Sequence, residues 1–248
     1  MKKRDITQSL ADGRASMEFC GPVGIFTVTR PHVRNALDLD CIEALSKFVS
    51  ELERRPDVSV AIITGQDPGG FIAGGDLAQF ALLKGHEAGR ALSGRMGRVL
   101  ARLELAPQVV IAAINGDAYG GGFEVALACD LRFMDAEARL VMAQRRFGLT
   151  TGWGGGSRLV RAVGYDRALM IMLQGAPISA QEALDMRLIT RIAEPGAALA
   201  QARDFAERIG KMERPLVSGI KRVALYGATL QGEDAISEER RIFAGLWA

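Results

Sequence analysis

Residues 109–134 read VVIAAINGDAYGGGFEVALACDLRFM and contain the clearest indication of the fold class. Val109–Ile114 is apolar at every position, which is typical of a strand covered on both faces. A triple glycine then precedes the apolar run Phe123–Cys129, which predicts a tight turn that opens a helix. A second strand is predicted near Leu131–Met134. A strand, a helix and a strand in this order indicate an α/β fold with a parallel sheet.

The N-terminal part of the chain extends this pattern. Two short strands are predicted at Met17–Cys20 and Gly24–Thr29, joined by a tight turn, after a polar and loose segment at residues 1–15. Asp38 precedes apolar residues at helical spacing, so it is predicted to cap an amphipathic helix. Val58–Thr64 is predicted to form a buried strand.

The C-terminal part of the chain is mainly helical in its pattern. The segment 76–104 is predicted to be largely helical, and from Trp153 onward the apolar residues keep a helical period with little strand between them. We find no linker, low-complexity tract or internal repeat. The sequence therefore predicts one α/β domain followed by a helical C-terminal third.

The composition excludes several classes of protein. The chain has 248 residues, 48% of them apolar, and a net charge of +2 from 31 Lys and Arg against 29 Asp and Glu. This much apolar content can build a core, so general disorder is excluded. A nearly neutral charge gives no reason to expect nucleic acid or an anionic membrane as the main partner.

Cysteine usage and the start of the chain indicate a soluble, cytoplasmic protein. Cys20, Cys41 and Cys129 lack the spacing of a disulfide framework or a zinc site. The basic start at Met1–Arg4 is not followed by an apolar stretch, so it is not predicted to be a signal peptide. The longest apolar runs are too short to span a bilayer.

Most standard catalytic motifs are absent from the sequence. The glycine cluster 152–157 fails the last position of the dinucleotide-binding pattern, and no Walker lysine or Gly-x-Ser-x-Gly motif occurs. The two histidines, His32 and His86, are interpreted as surface residues, so no metal site and no serine–histidine pair is predicted.

The glycine turn before Glu124 carries the clearest chemical signal. Backbone amides at a turn that opens a helix point outward without partners, which suits a developing oxyanion. Apolar neighbours disfavour the ionised form of Glu124, whereas the helix dipole favours it. The alternative is that Glu124 only stabilises the start of its helix.

A second glycine loop, Phe71–Leu77, offers the same backbone donors. Within it, Asp76 could simply cap the next helix. Two turns that present amides, together with one buried acid, are nevertheless what the chemistry of a thioester enolate requires. Two donors hold the carbonyl oxygen and one group moves a proton.

These motifs resemble the crotonase (enoyl-CoA hydratase/isomerase) superfamily from Arg30 almost to the end of the chain. The matching segments, in the family's order, are Arg30–Leu37, Phe71–Leu77, Ile111–Asp130, Gly152–Leu159 and Ile178–Leu184. The resemblance implies a ββα spiral core over residues 16–190 with an acyl-CoA site. It also implies a helical region over residues 191–248, used in trimerisation.

By position, the resemblance implies a set of catalytic and substrate-binding residues. The amides of Gly75 and Gly121 would hold the thioester oxygen, Glu124 would be the acid or base, and Arg34 and Ala36 would lie on the loop that contacts the CoA nucleotide. The remaining substrate-binding positions are Ala73, Asp76, Leu77, Tyr119, Thr151 and Trp153. As alternatives, Arg34 is an ordinary surface arginine and Trp153 only a packing residue.

Departures from the family pattern bear on the reaction. Gln144 stands where family hydratases carry a second glutamate, Thr151 replaces a proline, and Gly152 leaves no acid where some members have one. Glutamine can orient water but cannot take its proton, so an isomerase or a decarboxylase is favoured over a classical hydratase. The segment Phe147–Gly155 is also similar to the malonyl-CoA-type decarboxylases of the superfamily.

The resemblance implies an enzyme that acts on CoA thioesters, with no cofactor beyond the CoA of the substrate and no metal. A homo-oligomer, either a trimer or a dimer of trimers, is the expected assembly. The alternatives are an enoyl-CoA hydratase and a non-catalytic subunit that binds CoA thioesters.

Overall fold

The computed structural model describes residues 6–247 and shows a mixed α/β architecture, as the sequence predicts. The main sheet has seven strands in the order β1-β2-β3-β4-β5-β7-β10. The first three strands pair antiparallel and the others pair parallel. Their bounds are β1 Ile6–Leu10, β2 Ala15–Cys20, β3 Val23–Val28, β4 Val60–Gly65, β5 Val109–Ile114, β7 Leu131–Asp135 and β10 Arg191–Ala193.

Residues 6–247 also contain a second, three-stranded sheet, ten α-helices and three short 3-10 helices. The small sheet consists of β6 Ala118–Tyr119, β8 Arg139–Val141 and β9 Ile178–Ser179. The helices are α1 Leu39–Arg54, α2 Leu77–Phe80, α3 Gly85–Leu105, α4 Gly121–Leu127, α5 Gly155–Val163, α6 Tyr165–Gln174, α7 Ala180–Asp185, α8 Ala198–Ile209, α9 Arg214–Thr229 and α10 Gly232–Leu246.

The start of the chain is more ordered than predicted. Residues 1–5 of the segment interpreted as loose lie outside the described residues, but β1 pairs with β2 along its whole length. The residues Thr7, Gln8 and Ser9 of β1 are exposed, because β1 is an edge strand. A polar edge strand carries little hydrophobic periodicity, which is why the sequence pattern missed it.

The two faces of the sheet are covered by different helices. On one face, α1 and α3 pack on the larger apolar cluster, which includes Phe26, Phe48 and Phe71. On the other face, α8 covers the smaller cluster around Ile62 and Ile111. Because β5 contributes to both clusters, its uniformly apolar sequence agrees with the prediction of a strand buried on both faces.

The C-terminal region returns to the sheet before its last helices. Strand β10 pairs parallel with β7, within the segment that the sequence analysis assigned to the helical region after residue 190. Helix α9 is anchored by Lys221, whose Nζ lies 2.8 Å from Asp130 Oδ2 and donates to the Gln108 carbonyl at 2.9 Å. Burial raises the pKa of Asp130 in spite of the nearby ammonium group. In residues 6–247 no helix is long and apolar enough to cross a membrane.

Arg30 ties the end of β3 to the starts of two helices. Its guanidinium lies 3.2 Å from Asp38 Oδ2 and 2.9 Å from Asp76 Oδ2. Asp38 caps α1 by accepting from the Cys41 amide, which confirms the predicted cap. Burial acts to raise the pKa of Asp38, but the hydrogen bond from Cys41 and the charges of Arg30 and Arg14 outweigh it and hold the pKa below the ordinary value of an aspartate.

We expect the substitution Asp38→Asn to destabilise the protein by about 2 kcal/mol, because asparagine keeps the cap but leaves the partly buried Arg30 with one partner fewer. Because the folded pKa of Asp38 lies below its unfolded value, this contribution is full above about pH 5 and is lost as the pH falls through the folded pKa. Urea unfolding at several pH values measures both effects. The control Asp40→Asn removes an exposed partner of Arg14 and should change stability by less than about 0.5 kcal/mol. Equal losses in both variants would contradict this account.

Candidate active site

The candidate site lies where two loops leave the carboxyl ends of neighbouring parallel strands. The loop after β4 and the loop after β5 run side by side, with a bridge between Ile72 and Ala118. The Tyr119 amide donates to the Ile72 carbonyl at 3.1 Å. A Cβ at Gly122 would lie only 1.9 Å from that carbonyl oxygen, so this close approach requires glycine.

The two predicted oxyanion donors are available in this arrangement. The neighbouring amides are bonded, Asp76 to the Leu37 carbonyl and Gly120 to the Val141 carbonyl, both at 2.8 Å. Within residues 6–247, the amides of Gly75 and Gly121 donate to no acceptor. Gly121 is the first residue of α4, where backbone amides have no partner in the helix. Two free donors on adjoining loops suit one oxygen atom of a ligand.

Each of these two glycines is covered by an aromatic ring. A Cβ built on Gly75 would lie 2.2 Å from Cε2 of Phe80, and one on Gly121 would lie 2.1 Å from Cζ3 of Trp153. The rings therefore pack directly on the two α-carbons, where any side chain would displace them.

The Glu124 carboxylate is buried and surrounded by donors. Its side chain is 2% exposed. Oε2 accepts from the amides of Trp153 at 2.8 Å and Gly155 at 2.9 Å. Oε1 accepts from Gln144 Nε2 at 2.9 Å and from the Gly152 amide at 3.3 Å. Four donors and no acceptor face this group, an arrangement that fits its ionised form.

The bond to Glu124 also sets the orientation of the Gln144 amide. A carboxylate oxygen can only accept, so the NH₂ group of Gln144 must face Glu124 and its oxygen must face away. That oxygen, Oε1, is buried and has no hydrogen-bond partner within residues 6–247. The structure thus brings Gln144 and Glu124 into direct contact, with one acceptor left over.

Side chains of α3 and α5 hold the loop that supplies the three backbone donors. Arg158 donates to the Trp153 carbonyl at 3.0 Å and pairs with Glu104 of α3 at 2.8 Å. Ser93 of α3 donates to the Gly152 carbonyl. A Cβ on Gly155 would lie 2.4 Å from Glu124 Cγ, so the approach of this loop to the carboxylate also depends on glycine.

Several of the predicted substrate-binding residues form a separate, more exposed group. The Arg34 guanidinium lies 5.5 Å from the centre of the Tyr119 ring, and the Ala73 amide donates to the Arg34 carbonyl at 3.1 Å. These three residues line a cavity of about 270 Å³ together with Asp67 and Asp117. Arg34 adopts the left-handed conformation with a φ of 53°, which turns its backbone sharply at the end of a short 3-10 helix.

The other predicted residues have evident structural contacts. Asp76 caps α2, which confirms the alternative stated for it, and also pairs with Arg30. The Ala36 carbonyl accepts from Arg30 at 2.8 Å. Leu77 is 52% exposed at the start of α2, and Thr151 is partly buried against Gly156. His32 and His86 are exposed, as predicted.

Sequence reasoning missed the partners of Glu124. The amides of residues 152, 153 and 155 reach it from 28 to 31 positions away, and Ser93, Glu104 and Arg158 support them. The glycine cluster 152–156 was the available signal, because adjacent glycines mark a close backbone approach. Within residues 6–247 no three His, Cys, Asp or Glu side chains are placed to hold a metal ion.

Comparison with known proteins relates this geometry to one family. The sequence profile of the enoyl-CoA hydratase/isomerase family matches residues 18–247. A short-chain-enoyl-CoA hydratase of Clostridium acetobutylicum is 35% identical over 76% of this chain and 72% of its own. An ethylmalonyl-CoA decarboxylase of Mus musculus is 31% identical over 91% of this chain and 70% of its own.

The fold matches solved structures equally well. A crystal structure of an enoyl-CoA hydratase from Bacillus anthracis superposes with a TM-score of 0.89 at 29% identity, over 94% of this chain and 90% of that one.

We expect Gly155→Ala to destabilise the protein by about 1–3 kcal/mol, because the new methyl group overlaps Glu124 Cγ. Gly152→Ala is the matched control, since a Cβ there meets only Ser93, at 3.7 Å. Its amide still donates to Glu124, and its stability should stay within about 0.5 kcal/mol of the wild type. Urea unfolding of the two variants measures the difference. Similar losses would show that the loop does not pack on Glu124 as described.

Proposed function

The chain belongs to the enoyl-CoA hydratase/isomerase family, and from this premise we propose that it forms and quenches the enolate of a CoA thioester with Glu124 as its proton carrier. The observation that carries the proposal is the buried Glu124 carboxylate, four times hydrogen-bonded, beside two loops whose glycine amides are free. We propose isomerisation of a 3-enoyl-CoA as the leading reaction.

The amides of Gly75 and Gly121 would hold the thioester oxygen. Negative charge grows on this oxygen as the enolate forms, and donors that are already oriented stabilise it without reorganisation. Removing one such donor in other enzymes costs about 10²–10³-fold in rate. The contacts of their neighbours keep these two amides in place, which supports this role.

Isomerisation uses Glu124 first as a base and then as an acid. A carboxylate oxygen takes the proton from C2 of the 3-enoyl group, and the C–H electron pair becomes the enolate. The same oxygen then returns the proton to C4, which leaves the double bond between C2 and C3. The reaction needs no second titrating group, and the ionised form favoured by the four donors is the form that starts it.

Of the two carboxylate oxygens, Oε1 is the better candidate for the proton transfer. Its bond from the Gly152 amide is the longest of the four, at 3.3 Å, whereas both bonds to Oε2 are shorter than 3.0 Å. A proton can therefore replace the weakest bond on Oε1 while Oε2 keeps the side chain in position.

Gln144 supports the preference against hydration. Hydration needs one group to take a proton from water and another to supply a proton to carbon. The Gln144 amide donates to Glu124 and cannot accept a proton in that way. This site therefore lacks the second glutamate that a classical hydratase mechanism uses.

Decarboxylation of a malonyl-type thioester is the second candidate. It is favoured by the similarity to the mouse ethylmalonyl-CoA decarboxylase, which extends over 91% of this chain. In this reaction the C–C bond to the carboxylate breaks, CO₂ leaves, the electron pair of that bond forms the enolate, and a proton from water is added to the α-carbon. The same two amides would hold the oxygen, and no base is required.

We further propose that the CoA portion enters beside Arg34 and that the protein acts as a homo-oligomer. The exposed guanidinium of Arg34 next to the cavity that it shares with Tyr119 and Ala73 suits a phosphate group. Exposed apolar side chains on α6 and α10 support assembly into a trimer or a dimer of trimers. They are Tyr165, Leu169, Met170, Leu173, Ile236 and Phe243. A cytoplasmic location stays a prediction from the sequence.

Mass spectrometry of acyl-CoAs incubated with the enzyme in heavy water distinguishes the reactions. We expect a 3-enoyl-CoA to be converted to the 2-enoyl isomer with deuterium exchange. Loss of CO₂ from ethylmalonyl- or methylmalonyl-CoA with deuterium at the α-carbon would establish the decarboxylase instead. Addition of water to a 2-enoyl-CoA would overturn the interpretation of Gln144. Binding without turnover of any thioester would indicate a non-catalytic subunit.

We expect Glu124→Gln to lower kcat by about 10³-fold, because the amide cannot carry the proton. The NH₂ group of the glutamine would face two of the four donors, so we also expect some loss of stability, whereas the amides of Gly75 and Gly121 remain to bind the thioester. Kinetics, together with the Kd of a saturated acyl-CoA and urea unfolding, measure the effect and show that the variant is folded. Glu182→Gln is the control, because Glu182 serves only an exposed capping box on α7. Full activity of Glu124→Gln would exclude Glu124 as the proton carrier.

A further inference from the structure

The ring of Trp153 packs on one of the two proposed oxyanion donors. Its atoms Cζ3, Cη2 and Cε3 would lie 2.1, 2.5 and 2.8 Å from a Cβ on Gly121. The backbone amide of the same residue donates to Glu124 Oε2 at 2.8 Å. Trp153 therefore contacts both the residue that would hold the thioester oxygen and the residue that would move the proton.

The position of the Trp153 ring limits the path that the acyl group of the substrate can take. The carbonyl oxygen of the thioester would lie at the Gly121 amide, and C2 and C4 must both come within reach of Glu124. Those carbons would therefore lie close to Gly121 and Glu124, and the indole ring packs directly on Gly121. The first carbons of the acyl chain consequently meet the ring.

The ring is held firmly against a large displacement. Trp153 is 7% exposed, and its carbonyl accepts from Arg158, which is itself buried and paired with Glu104. The flanking amides of Gly152 and Gly155 are bonded to Glu124. These bonds fix the backbone of Trp153, and packing within the larger apolar cluster restricts rotation of its ring.

The opposite side of the oxyanion donors is closed as well. Phe80 covers Gly75 with its ring 2.2 Å from a Cβ position there, as Trp153 covers Gly121. An acyl chain that extends past the reacting carbons thus finds an aromatic ring on either side of its anchoring oxygen.

We infer that Trp153 is a specificity-determining residue that closes the acyl pocket and restricts this enzyme to short acyl groups. The inference rests on the proposed function, because it places the thioester oxygen at Gly75 and Gly121. It adds the substrate class, which the family membership alone does not define.

The test measures the binding of saturated acyl-CoAs, which the proposed reaction does not consume. Isothermal titration with butyryl-, hexanoyl-, octanoyl- and decanoyl-CoA yields the ratio of affinities between short and long chains. We expect the wild type to bind butyryl-CoA at least tenfold more tightly than octanoyl-CoA. In Trp153→Ala this ratio should fall by tenfold or more, because the removed ring leaves room for the longer chain.

Two further variants separate the effect of the Trp153 ring on chain-length preference from general effects on the fold. Trp153→Phe keeps a smaller ring and should give an intermediate ratio, which keeps the test available if Trp153→Ala does not fold. Trp247→Ala, at the exposed end of α10, removes a tryptophan whose ring packs on Phe243 of the same helix and should leave the ratio unchanged.

The outcomes distinguish failure of the role assigned to Trp153 from failure of the proposed function. Equal binding of butyryl- and octanoyl-CoA by the wild type would overturn the role of Trp153 and leave the proposed function intact. Equal weakening of all four thioesters in both Trp153 variants would do the same, since a merely structural ring has no chain-length preference. Failure of the wild type to bind any of the thioesters would overturn the proposed function, and the inference with it.

Discussion

A buried carboxylate is the constraint on which the centre of this structure depends. Removing Glu124 from water costs several kcal/mol unless hydrogen bonds replace its hydration. Four donors do so, and three of them are backbone amides of one loop. That loop must come within hydrogen-bonding distance of α4, which leaves no room for a side chain at Gly155. Arg158, Glu104 and Ser93 connect the same loop to α3, so the position of the carboxylate is set by elements distant in sequence.

The same rule of close backbone approach governs the other half of the site. Gly122 lies against the Ile72 carbonyl, and this contact brings the loops after β4 and β5 together. Parallel strands end at the same edge of a sheet, so the register of β4 and β5 delivers both loops to one place. The free amides of Gly75 and Gly121 follow from this packing, because their neighbours take the available carbonyls.

Most of the elements around the site could be predicted from local sequence patterns. The uniformly apolar β5, the Asp38 cap of α1 and the helix after the triple glycine each follow from periodicity or capping chemistry. The local patterns did not predict β1, because it is a polar edge strand, and did not predict β10, because it is only three residues long. The three backbone donors to Glu124 could not be identified individually, since a backbone amide has no side-chain signature and these amides lie about thirty residues away. The glycine cluster 152–156 indicates only that the backbone approaches something closely.

The identity of residue 144 decides how Glu124 can work. Two carboxylates 2.9 Å apart would repel each other and share a proton, so neither would remain a simple base. An amide at this position instead donates to Glu124 and favours the ionised form. Gln144 therefore leaves Glu124 as a single carboxylate with a fixed neighbour. For the function that we propose, this is the arrangement that a one-proton reaction on an enolate requires.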